Sequence, residues 1–136
     1  MENNQLSISQ SNTLEQVIIN GDLSKWQIFL HPSQRKLVES NFKGSVKVTG
    51  GAGTGKTVVA LHRLKFLSSL INSSDPRKVV FTTFTNALTT NLNGLSKKLQ
   101  IDNSKTHITN IDTLLKELAI ESGLISKTTR ILDMFN

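Results

Sequence analysis

The sequence has 136 residues, no cysteine, and sixteen Lys and Arg against ten Asp and Glu, a formal net charge of +6. This length can bury one hydrophobic core with little room for a second, and the lack of cysteine excludes a disulfide frame, a thiolate zinc site and a cysteine nucleophile. Met1 to Leu6 lack the basic start and apolar stretch of a secretory signal, and no run approaches the roughly 18 apolar residues that span a bilayer, so a soluble, cytoplasmic protein is expected. The positive surplus favours polyanionic partners. Ordinary solubilising charge accounts for it equally well, because Arg35/Lys36, Arg63/Lys65, Arg77/Lys78 and Lys97/Lys98 are spread along the chain.

In chain order, residues up to about Gly21 are rich in Asn, Gln and Ser, with one apolar patch from Leu14 to Ile19 that fits a short helix. Asp22 to Leu30 has apolar residues at helical spacing, and Pro32 disfavours helix at His31 before it. Ser33 is then a candidate N-cap for a helix through Gln34, Leu37 and Val38, closed by Gly44. Val46 and Val48 alternate as a short buried strand should and lead straight into a glycine-rich loop. Thr57 to Ile71 reads as a helix with Val59, Ala60, Leu64, Leu67 and Ile71 on one stripe. A turn at residues 72–76 precedes a β-branched strand from Lys78 to Thr83.

A polar helix from Asn86 to Leu99 follows, weakened at Gly94, with Leu88, Leu92, Leu95 and Leu99 at helical spacing. His107 to Asn110 is a third, weaker strand, and Asp112 to Glu121 is an amphipathic helix ended by Gly123. Strand followed by helix, three times over, predicts an α/β fold with a parallel sheet and helical crossovers.

Gly50-Gly51-Ala52-Gly53-Thr54-Gly55-Lys56-Thr57 fits the full G-x-x-x-x-G-K-[ST] spacing of a phosphate-binding P-loop. Glycines let the backbone adopt positive φ and approach phosphates with no Cβ in the way. Successive N–H groups and the start of the next helix then form an anion-binding concavity. In such a loop Gly51, Ala52, Gly53, Thr54 and Gly55 surround the phosphates, Lys56 bridges the β- and γ-phosphates, and the Thr57 hydroxyl binds Mg²⁺. No Asn-Lys pair that would begin a guanine-reading motif occurs, so ATP is the expected nucleotide.

Around this loop the sequence resembles the N-terminal 1A domain of UvrD/Rep-type superfamily 1 DNA helicases, from about Trp26 to Leu118. Leu30-His31-Pro32-Ser33-Gln34-Arg35 looks like the family's Q motif, which gives Gln34 the adenine edge; an amide can pair with both the N6 donor and the N7 acceptor of adenine. Gly50 to Thr57, running on into His62-Arg63, resembles the family's loop and following helix, although Val58 stands where many members have a nucleotide-holding arginine. His62 reads as a helix-packing residue.

Val79 to Asn86 resembles motif Ia, which implies that Phe84 touches a base of single-stranded DNA while Thr85 and Asn86 contact its backbone. Read without the resemblance, Phe84 is a core residue ending a strand. Thr109 to Leu114 loosely resembles motif Ib, with Ile111 and Asp112 departing from the usual Phe-His.

The resemblance therefore implies a RecA-like P-loop NTPase fold in incomplete form, with a polar segment at residues 1–24 and a partial helicase 1A domain at residues 25–136. It implies ATP and Mg²⁺ as cofactors, single-stranded or partly duplex DNA as partner, and no membrane association. No Asp-Glu pair of a Walker B strand occurs among the 136 residues. Asp112 is the best substitute as a metal ligand, against the plainer reading of an acidic residue favoured at a helix N-terminus. The expectation is a truncated ATP-binding segment of a translocase. A non-enzymatic nucleotide-binding module, or a small P-loop ATPase or kinase using Asp112, are the alternatives.

Overall fold

The computed structural model describes residues 27–127, and the polar segment at 1–24, the patch from Leu14 to Ile19 and the start of the Asp22–Leu30 stretch lie outside them. In chain order the elements are α1 (Pro32–Glu39), α2 (Lys56–Ser69), β1 (Val79–Thr83), α3 (Asn86–Lys98), β2 (Thr106–Asn110) and α4 (Ile111–Glu121). Helix α1 begins two residues earlier than its sequence implies. Its N-cap is His31, whose side chain accepts a hydrogen bond from the Ser33 backbone N–H at 3.2 Å. Pro32 occupies the first helical position, where a missing N–H costs nothing. The proline expected to stop a preceding helix thus starts this one, and Ser33 is a helical residue rather than the cap.

Helix α2 buries Val59, Leu61, Leu64 and Ser68, a broader face than the expected stripe. Ala60, Leu67 and Ile71 are only half-buried, while Leu61 is fully enclosed. The reason is that α2 is covered by two neighbours, α1 and β1, so that a wide arc of the helix is shielded rather than one line of residues.

β1 and β2 pair in parallel with Val79 opposite Thr106 and Thr83 opposite Asn110. Helix α3 makes the crossover and packs on both strands, as a parallel pair requires. Val79, Phe81 and Ile108 face the core cluster of Leu61, Leu64, Leu92, Leu99 and Ile101. Val80, one residue out of phase, points away and is exposed.

Both later helices end with the same chemistry. After α3, Gln100 takes a left-handed φ of 55°; the Gln100 N–H then reaches Lys97 O and the Ile101 N–H reaches Ser96 O, both at 3.0 Å. After α4, Gly123 does the same with φ 74°, and the Leu124 N–H reaches Ala119 O at 2.9 Å. These are paired end-bonds that satisfy orphan carbonyls, and they confirm Gly123 as the stop.

One predicted strand does not form. Residues 45–50 belong to no ladder among the described residues, and Val46 and Val48 remain 47% and 42% exposed. Alternating valines supply a strand's pattern, but a strand also needs a neighbour to take its N–H and C=O groups. The described sheet has two strands only, and this segment pairs with neither. Among the described residues the architecture is a small α/β unit, a two-stranded parallel sheet with four helices.

Candidate functional site

The glycine-rich loop joins the unpaired segment to α2, and its shape is set by the residues expected to matter. Gly53 and Gly55 take φ of 74° and 80°, a region where other residues are strained. Gly50 is demanded by space instead: a Cβ there would meet Thr54 Oγ1 at 2.8 Å. The Thr54 hydroxyl donates to Gly51 O at 2.9 Å and closes the turn. Gly55 is the N-cap of α2 and offers no side-chain acceptor, so the first N–H groups of this 14-residue helix keep their affinity for an outside acceptor.

Lys56 folds back over the loop and donates from Nζ to Gly50 O at 3.0 Å and Gly51 O at 2.5 Å. Gln34, from α1, reaches the loop and donates from Nε2 to Thr54 O at 3.1 Å. Its amide lies so close that a Cβ on Gly55 would sit 3.4 Å from it. Residues 20 apart in sequence thus meet at the loop.

The cleft they border measures about 600 Å³ and is lined by Gln27, Phe29, His31, Gln34 and residues 53–58. That volume suits a small-molecule ligand. Its lining includes the Lys56 ammonium and no carboxylate, and the N-terminus of α2 opens onto it, so the local field favours an anion. Phe29, His31, Gln27 and Val58 were not foreseen as lining residues. Phe29 and Val58 give the cleft an apolar wall. The signal for His31 was its place directly before Pro32, a cap position.

Of the other expected site residues, Thr57 lines the same cleft. Ala52 lies exposed on the loop beside Gly51 and Gly53, and is not among the lining residues. Among the described residues, no three His, Cys, Asp or Glu side chains cluster. Asp112 occupies the exposed first turn of α4, where a carboxylate is favoured by the helix dipole.

A second group lies at the carboxyl ends of the two strands, the edge where ligands bind in open α/β sheets. Phe84 follows β1 and is 88% exposed, which excludes the reading of it as a core residue. Thr85 caps α3 by accepting from the Leu88 N–H at 3.2 Å. Its carbonyl is held by the Thr83 hydroxyl at 3.0 Å and the Thr89 hydroxyl at 3.1 Å.

Asn86, the first residue of α3, accepts a short hydrogen bond from Asn110 Nδ2. Asn110 Oδ1 in turn caps α4 through the Thr113 N–H at 2.7 Å. The sequence reading missed this Asn86–Asn110 link, which ties the Phe84-Thr85-Asn86 corner to the start of α4. Nearby on the outer surface, His107 and Glu117 pair at 3.0 Å. Among the described residues no helix is long and apolar enough to cross a membrane.

Set beside known families, residues 30–128 match the model of the UvrD/REP helicase N-terminal domain. A search of curated proteins returned no match.

Proposed function

The chain belongs to the UvrD/REP helicase N-terminal domain family, and from that premise we propose that it is the ATP-binding part of a cytoplasmic ATP-dependent DNA translocase. In this reading residues 25–136 make up a partial RecA-like P-loop domain, and residues 1–24 are a polar extension. The supporting observation is the convergence of Gln34 and residues 53–57 on one carboxylate-free cleft.

The nucleotide's phosphates would lie against Gly51, Ala52, Gly53, Thr54 and Gly55, where positive-φ glycines leave room for close approach. Lys56 would exchange its bonds to Gly50 O and Gly51 O for phosphate oxygens, gaining a charge-assisted contact. Gln34 holds Thr54 O with one N–H, which leaves its other N–H and its Oε1 as the donor and acceptor that an adenine edge requires. Magnesium, when bound, would neutralise charge between the phosphates; from this chain the Thr57 hydroxyl would hold it.

At the strand ends, Phe84 offers an uncovered ring for base stacking, which tolerates any sequence. Thr85 and Asn86 stand beside it to meet a DNA backbone. Along the chain this corner follows the nucleotide cleft after one helix and one strand, α2 and β1, an order that suits a single-strand-tracking ATPase.

Titration of the chain with Mg²⁺-ATP by calorimetry tests the nucleotide half of the proposal. Saturable binding is expected, with Lys56→Ala weakening it by at least about tenfold, since a charge-assisted hydrogen bond contributes about 1.5–3 kcal/mol. Equal affinity in the two proteins would refute the assignment of the loop.

A further inference from the structure

Gln34 can read a base only if α1 is held at a fixed distance from the loop, yet α1 is an eight-residue helix with one buried residue, Val38. So short a helix has little stability of its own. Two adjacent side chains of α2 hold its flanks. His62 donates from Nε2 to Ile28 O at 2.8 Å, ahead of α1. Arg63 donates from Nη1 to Val38 O at 2.5 Å and Ser40 O at 2.6 Å, at its end.

The Arg63 guanidinium also lies 5.2 Å from the Phe42 ring centre and 5.4 Å from that of Phe66, which fixes its plane and adds cation–π attraction. A cation on the last carbonyls of α1 satisfies groups the helix leaves unbonded and meets the negative end of its dipole. Gln34 lies midway between the two anchors. Because both anchors belong to the helix that begins at Lys56, the adenine-reading amide and the phosphate loop are fastened to one rigid element.

We propose that His62 and Arg63 are positioning residues for base selection: they set the place of Gln34, and so the preference for adenine, without touching the nucleotide. The inference rests on the proposed ATP site and on Gln34 as the base reader, and its test separates the two. The full chain and its variants are titrated with Mg²⁺-ATP, Mg²⁺-GTP and inorganic tripolyphosphate. Gln34→Ala should lower the ATP-over-GTP preference about tenfold, the value of one bidentate base contact. Arg63→Ala and His62→Leu should lower the same preference at least about threefold while tripolyphosphate affinity stays within about twofold, because the loop is untouched.

Adding Arg63→Ala to Gln34→Ala should bring no further loss of preference, as expected when one residue acts through the other. His62→Gln, whose amide N–H can replace Nε2–H toward Ile28 O, should restore the wild-type preference. If Arg63→Ala fails to fold, the contrast between His62→Leu and His62→Gln decides alone.

A preference that drops with Gln34→Ala but not with either α2 variant would overturn the positioning role. So would an equal loss of ATP, GTP and tripolyphosphate binding, which marks a merely structural effect. No change on Gln34→Ala would remove the adenine reading itself, and the inference with it.

Discussion

Phe84 shows how one residue's surroundings decide between two readings. As a strand-ending aromatic it reads as core; at 88% exposure it contributes nothing to the core and presents a bare ring beside Thr85 and Asn86. Replacing it with Ala should therefore leave the melting temperature unchanged, since exposed positions rarely move stability by more than about 0.5 kcal/mol. Affinity for a short oligothymidylate, followed by fluorescence anisotropy, should fall by about five- to a hundredfold, the equivalent of about 1–3 kcal/mol per stacked base. A lower melting temperature with unaltered DNA affinity would return Phe84 to a structural role. Gln34, likewise, is brought to the loop across a gap of twenty residues by its contact with Thr54 O.

At the level of elements, the turn before β1 is held by ion pairing rather than burial. Asp75 accepts from the Arg77 backbone N–H and three times more from its guanidinium, at 2.6 to 3.0 Å. Those bonds from Arg77 lower its pKa from 3.8 to about 2. Asp102, ahead of β2, is lowered as well, chiefly by the Ser104 hydroxyl. The folded state thus binds fewer protons than the unfolded chain, so the contribution is complete above about pH 4 and disappears as pH falls toward 2. Asp75→Asn should remove that part of the acid limb of the stability–pH curve and lower neutral stability by the same small amount, small because exposed pairs contribute little. Urea melts at a series of pH values measure this.

The elements differ in how far their residues announce them. α2, β1, α3, β2 and α4 all lie within about two residues of their expected ends, because each has a long periodic run or a cap of its own: Thr85 for α3, Asn110 for α4, Gly123 as a stop. The segment with Val46 and Val48 did not become a strand, because pairing depends on a partner and no pattern within the segment supplies one. Leu61 escaped the expected stripe of α2 because its burial comes from two neighbouring elements at once. Contacts such as Arg63 with Val38 O, or Asn110 with Asn86, join distant positions and leave no local periodic trace.

Across the whole molecule, the loop that was plainest in the sequence gains its meaning from what is packed around it. Glycines at 50, 53 and 55 shape the loop; Gln34, Phe29 and His31 join residues 53–58 around one cleft. The same scaffold carries the Phe84 corner at the carboxyl ends of the strands. Membership in the UvrD/REP helicase N-terminal domain family fits this arrangement of two sites, and the proposal stands or falls with the first. The most direct measurement is backbone amide NMR of the isotopically labelled chain during titration with Mg²⁺-ATP. The account predicts saturable shifts concentrated at residues 50–57 and at the Gln34 side-chain amide, all lost in Lys56→Ala. Shifts scattered over the basic surface, unchanged by that substitution, would contradict it.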